Sequence, residues 1–170
     1  MMQAAGAGTS GTLKITVVEA NLTRNTETFG KMDPYVKLET RMQKFKTTTI
    51  NSGGKTPKWT GQTFQIDVKY IGDDLNLSVW DEDVGSDDIV GSAVIKLSSF
   101  CAGNGVDEWF EIQHKGKKSG VVHITSQWTP AGGAKAAKAA PAGVAAMGAA
   151  GYPQMQQPMM QQPMQQPMMQ

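Results

Sequence analysis

What most constrains this chain is the period of its apolar residues. From about residue 12 to residue 128 they fall in short runs, many of them alternating, cut by turn signals every 8 to 15 residues. In "TLKITVVEA" (12–20), Leu13, Ile15 and Val17 alternate with Lys14 and Thr16. "PYVKLET", "KFKTTTI", "TFQIDV", "LNLSVW", "VGSAVIKL", "EWFEIQ" and "GVVHITSQW" follow. Almost nothing repeats at helical spacing, apart from a single turn around "SSFCAG". The pattern predicts an all-β, eight-stranded antiparallel β-sandwich of two four-stranded sheets. Residues 11–128 supply the core and residues 1–10 a flexible lead.

After Pro130 the composition changes. Residues 131–150 are mostly Ala and Gly, and residues 152–170 read "YPQMQQPMMQQPMQQPMMQ". Proline this frequent blocks helix and glutamine adds no core, so 129–170 is expected to be a disordered tail. It is either a solubilising spacer or an interaction strip in which Met and Tyr152 contact a protein partner.

The formal net charge is only +1, yet "WDEDVGSDD" (80–88) holds Asp81, Glu82, Asp83, Asp87 and Asp88, a third of the 15 acids. Carboxylates this close repel unless solvent or a cation lies between them. In "LNLSVWDED" the parity that puts Leu75, Leu77 and Val79 on the core face continues to Asp81 and Asp83, while Trp80 and Glu82 point the other way. Two aspartates converging at a sandwich mouth suit a hard cation such as calcium, which takes oxygen ligands. An EF-hand loop opening at Asp81 is excluded, because its sixth and twelfth positions are Ser86 and Ser92. Further acids come from "NTETFGKMDPYV" (25–36), where Glu27 and Asp33 flank a turn and Asp33 precedes Pro34 and the next strand.

Four motifs in this order, "GTLKITVVEA", "GKMDPYVKL", "KTPKWTGQTFQIDV" and "VWDEDVGSDDIVG", give the chain a family resemblance over residues 11–128. It resembles the C2 domain, the calcium- and phospholipid-binding sandwich, and especially the small single-domain C2 proteins of plants and protists. The first strand feeds straight into the first loop, as in the family's type II topology. Carried over by position, the resemblance implies a metal site of Glu27, Asp33, Asp81, Asp83 and Asp88, with Asp87 as the alternative to its neighbour. The backbone carbonyls of Met32 and Glu82 complete it. Two departures are visible: the family usually has Asp where this chain has Glu27, and the third loop is one residue shorter than in many calcium-binding members.

The resemblance implies two or more calcium ions and calcium-dependent docking to an anionic phospholipid membrane in signalling or trafficking. Thr28, Phe29 and Val84 are then the residues expected to reach the headgroups. Lys37, Arg41, Lys44 and Lys46 resemble the family's polybasic face as a second lipid contact, and Lys44 and Lys46, which share a strand face with Thr48, are the ones expected to meet a phosphoinositide headgroup; otherwise they are a solvated strand edge whose lysines deter aggregation. The alternative function is a calcium-independent adaptor that binds protein partners through the domain and its tail.

An enzyme is not expected. His114 and His123 fall in or beside terminal strands, Cys101 has no evident base, and no phosphate loop or nucleophile motif occurs. Trp59, Trp80, Trp109 and Trp128 are expected to pack rather than to bind ligand. The near-neutral charge predicts no nucleic-acid partner and the chain is expected to be a monomer. One unpaired cysteine and an opening without a basic or apolar stretch fit a cytoplasmic setting with reversible membrane association.

Overall fold

The computed structural model describes residues 8–132. Its strands are β1 (Gly11–Leu22), β2 (Pro34–Glu39), β3 (Lys44–Lys46), β4 (Lys58–Val68), β5 (Asp74–Asp81), β6 (Asp88–Lys96), β7 (Asp107–His114) and β8 (Lys117–Pro130). One 3-10 turn, Leu97–Phe100, follows β6, where the sequence suggested a single turn. The order β3-β2-β5-β6-β7-β8-β1-β4 is antiparallel throughout. β6 and β7 share a single ladder pair, Ser92 with Gln113, so the strands divide into two four-stranded layers joined at one edge.

Period two builds the core. Leu13, Ile15 and Val17 of β1, Val36 and Leu38 of β2, and Leu75, Leu77 and Val79 of β5 are each 0% exposed. A bulge between Val17 and Glu19 shifts the parity of β1, turning Glu19 outward and Ala20 inward. Gly91 sits where the layers meet: a β-carbon there would lie 1.9 Å from Ser119 Oγ, which only glycine avoids. At the other edge the seam between β3 and β4 is closed by side chains. The Gln43 side chain accepts from Asp67 N–H (2.9 Å), that of Gln62 accepts from Thr48 N–H (3.3 Å), and the Phe45 and Phe64 rings meet at 5.4 Å. These contacts cover edge groups that a ladder would otherwise satisfy.

β8 runs past Trp128 to Pro130, because Thr129 and Pro130 pair with Thr12 and Gly11 at the start of β1. The N-terminal lead is likewise tied down at Thr9 and Ser10, whose carbonyls accept from Ile71 N–H (2.8 Å) and Ala131 N–H (2.9 Å). Residues 1–7 of the expected lead and 133–170 of the expected tail lie outside the described residues.

Two of the four tryptophans depart from the packing expectation. Trp59 and Trp128 enter the core at 1% and 6% exposure. Trp109 stays 49% exposed and stacks on His123, and Trp80 lies half-buried on an outer sheet face. The reason is parity: each falls on the outward register of its strand.

Candidate metal and lipid site

Three loops gather at one end of the sandwich: loop 1 (residues 23–33), loop 2 (47–57) and loop 3 (82–87). Strand register puts them there, since Pro34 pairs with Asp81 and Asp81 pairs with Asp88. Asp81 continues the inward parity of β5 and is 0% exposed. Buried charge is costly without partners, and both oxygens have one: Oδ1 accepts from Asp33 N–H (2.6 Å) and Oδ2 from the Thr26 hydroxyl (2.5 Å). Loop 1 is thus anchored on the end of β5. The Arg24 guanidinium adds a second anchor by donating to the Ile89 carbonyl on β6.

Glu27, Asp81 and Asp83 offer carboxylate oxygens that all lie within 4.8 Å of one another. Partial burial, contact with Asp83, and the charges of Asp83, Asp81 and Asp33 hold the Glu27 carboxyl above its ordinary range. Oxygens sharing one calcium at about 2.3–2.6 Å each lie no more than about 5 Å apart, so both spacing and donor type fit a hard cation.

Asp33 is close but turned: its Oδ1 accepts from Ser52 N–H of loop 2 (2.5 Å), while its own carbonyl accepts from Glu82 N–H (3.0 Å). The Met32 carbonyl accepts from Gly54 N–H (2.9 Å). Asp88 is exposed at the start of β6, outside the three-carboxylate group. Asp87 faces away from that group, with Oδ2 accepting from the Tyr35 hydroxyl (2.6 Å) and Oδ1 from Asp83 N–H (3.2 Å). The Tyr35 bond, then the Asp83 amide, and more weakly Lys46 and Lys37 hold its carboxyl below the usual range. Burial and the Asp87 bond push the Tyr35 phenol up. Thr26 and Ser52, which position the aspartates, carry no sequence signal that would have singled them out.

Two apolar side chains project from this end. Phe29 of loop 1 is 89% exposed and Val84 of loop 3 is fully exposed, next to Gly85, whose φ of +123° forms the tip. Thr28 is exposed beside Phe29. Below them, on the outer face of β2, β3 and β5, lies a basic aromatic surface. Lys37 Nζ sits 4.1 Å from the centre of the Trp80 ring, and Lys46 Nζ 3.8 Å from that of Tyr35. Lys44 pairs with Glu39 across the β2–β3 ladder (3.1 Å). Arg41 does not join them. It falls in the β2–β3 turn at the far end, beside Gly72 and Asp73 of the β4–β5 connection and Asp74 at the start of β5. Tyr35 and Trp80 were legible as part of this face, since Tyr35 shares the parity of Lys37 and Trp80 opposes Asp81.

Elsewhere the chemistry is sparse. Cys101 is half-buried, with its thiol pushed up to about 11 by burial. The two largest hollows among those described are polar: one lies among Lys14, Thr16, Thr63, Thr125, Ser126 and Gln127, the other in the β2–β3 and β4–β5 turns.

The family model for the C2 domain matches residues 11–112. The chain belongs to the C2 domain family. This C2 chain is 39% identical over 100 residues to extended synaptotagmin-3 of Xenopus tropicalis, covering 58% of itself and 11% of that protein. It is 36% identical over 90 residues to elicitor-responsive protein 3 of Oryza sativa subsp. japonica, covering 52% of itself and 62% of that protein. A solved structure of the two tandem C2 domains of extended synaptotagmin 2, described as calcium bound, superposes with a TM-score of 0.62 at 28% identity. That match covers 71% of this C2 chain and 46% of the other. The chain therefore spans only a small part of the extended synaptotagmins, and a larger share of the plant protein.

Proposed function

We propose that this C2 domain binds anionic phospholipid surfaces in response to calcium, as a peripheral, reversible membrane-targeting module. The observation that carries this is the convergence of Glu27, Asp81 and Asp83 within 4.8 Å at the same end as exposed Phe29 and Val84. The solved relative described as calcium bound supports the choice of cation. Glu27, Asp81 and Asp83 would hold the ion, with Asp33 of loop 1 the next carboxylate in reach. Bound calcium supplies positive charge and coordination positions that lipid phosphate can complete.

The chain's own residues do the rest. Without a cation the clustered carboxylates make the loop end negative, which opposes approach to an anionic surface. Thr26 and the Asp33 amide keep the Asp81 oxygens aimed at the shared position. Phe29 and Val84 are placed to enter the headgroup layer, an insertion shallow enough to be reversible. Lys37, Lys44 and Lys46 add attraction along one outer face. Among the described residues no helix is long and apolar enough to cross a membrane.

The test is co-sedimentation of the full chain with phosphatidylserine-containing or phosphatidylcholine vesicles, in calcium or in chelator. Pelleting only with phosphatidylserine and calcium is expected; equal pelleting in calcium and chelator would sink the calcium switch. The paired variant Phe29→Ser and Val84→Ser is expected to weaken calcium-dependent vesicle binding about tenfold, from the loss of part of the ~1.5–3 kcal/mol that burying a large apolar side chain gives. Calcium-induced thermal stabilisation should be unchanged in that variant, because neither side chain touches the carboxylates.

A further inference from the structure

The basic face is already occupied by the protein's own acids. Lys37 and Lys46 are direct cross-strand partners on β2 and β3, an arrangement that like charges disfavour. Loop 3 relieves it from both ends. Glu82, its first residue, bonds Lys46 Nζ at 3.0 Å, and Asp87, its last, accepts the hydroxyl of Tyr35, the ring over which Lys46 lies. Tyr35 is 1% exposed although it faces outward, so Lys46 and Asp87 close over it. A Glu82 oxygen therefore stands where a headgroup phosphate oxygen would meet Lys46, with the Asp87 carboxylate beside it at the Tyr35 hydroxyl.

We propose that Glu82 and Asp87 act as an internal latch, occupying the Lys37–Lys46–Tyr35–Trp80 face and holding it back from anionic headgroups until they are displaced. The latch rests on the reading of this face as a lipid-binding surface, given above. It shares the six residues of loop 3 with Asp83 of the metal group, so the two sites cannot be rearranged independently. The Glu82–Lys46 pair is half-exposed, with side chains 45% and 46% accessible, so the hold is one that a multivalent headgroup can break.

The latch is tested in chelator, where the cation site plays no part, with the full chain and phosphatidylcholine vesicles doped with phosphatidylinositol bisphosphate. Glu82→Gln with Asp87→Asn is expected to raise vesicle affinity about tenfold, the scale of one or two charges next to an anionic surface. Combining that pair with Lys37→Ala and Lys46→Ala should abolish the gain. The combination restores the wild-type net charge, so a gain that survives it does not run through the two lysines and overturns the latch, as does no gain.

Tyr35→Phe breaks the Asp87 bond without altering charge and is expected to gain about twofold, on the scale of one hydrogen bond. Binding at or below wild type in that variant overturns the part assigned to Asp87. If the lysine pair alone weakens binding while the acid pair changes nothing, the lipid face stands and the latch falls. If neither pair changes binding, the face itself is misassigned and the latch falls with it. Equal thermal midpoints across the set establish that folding is intact.

Discussion

A full chain carrying Asp81→Asn and Asp83→Asn is expected to stay folded in chelator and to lose both calcium-dependent vesicle pelleting and calcium-dependent thermal stabilisation. Asparagine is chosen because the bonding at Asp81 survives it. The amide oxygen can keep the Asp33 N–H, and the amide nitrogen can donate to Thr26 Oγ, which the wild-type carboxylate instead accepts from. Charge is removed while the anchor of loop 1 on β5 is retained.

The chelated variant should unfold at or slightly above the wild-type temperature, because the charges that hold the Glu27 carboxyl above its ordinary range include those of Asp83 and Asp81. Wild type at a hundredfold excess of calcium over its dissociation constant gains ~2.7 kcal/mol, or roughly 10 °C in midpoint for a domain of this size. The variant should lose at least a hundredfold in affinity, which leaves ~0.4 kcal/mol or less of that gain, since two of three converging carboxylates are gone. Differential scanning calorimetry with and without calcium reads both quantities. A variant that keeps the calcium-induced rise would remove Asp81 and Asp83 from the site.

What the sequence disclosed here follows from what period two can carry. Alternation placed Leu75, Leu77, Val79 and Asp81 on one face, and the structure buries all four. It does not carry through a loop: Asp83 and Asp87 stand close in sequence, yet one joins Glu27 and Asp81 while the other turns to Tyr35. Nothing in "DEDVGSDD" distinguishes them, because the choice depends on a strand some fifty residues earlier. Arg41 shows the same limit. Proximity in sequence grouped it with Lys37 and Lys46, but it lies in the turn between their strands, and a turn belongs to the opposite end from the loops that bear the acids. Trp80 and Trp109 were expected to pack on the strength of their area, whereas strand parity puts both outside.

Trp59→Ala is expected to cost ~3–5 kcal/mol, a large share of the 5–15 kcal/mol typical of a whole domain. The ring is 1% exposed in the core, and its Nε1–H donates to the Thr48 carbonyl at 3.0 Å, tying the start of loop 2 to β4 across the open seam. Removal therefore leaves a cavity and frees the segment leading to Ser52, whose amide holds the Asp33 carboxylate. Trp109→Ala is the matched control: it deletes the same ring from an outward position, 49% exposed and stacked on His123, and should cost about 1 kcal/mol or less. Urea unfolding of both, with unchanged slope, measures the difference. Comparable losses in the two variants would contradict the assignment of Trp59 to the core. A Trp59→Phe variant separates the two roles, since it fills most of the cavity but cannot reach Thr48. Its expected cost of about 1–2 kcal/mol should come with a modest loss of calcium affinity, because the Ser52 amide then holds the Asp33 carboxylate less firmly while the Asp33 amide keeps its bond to Asp81.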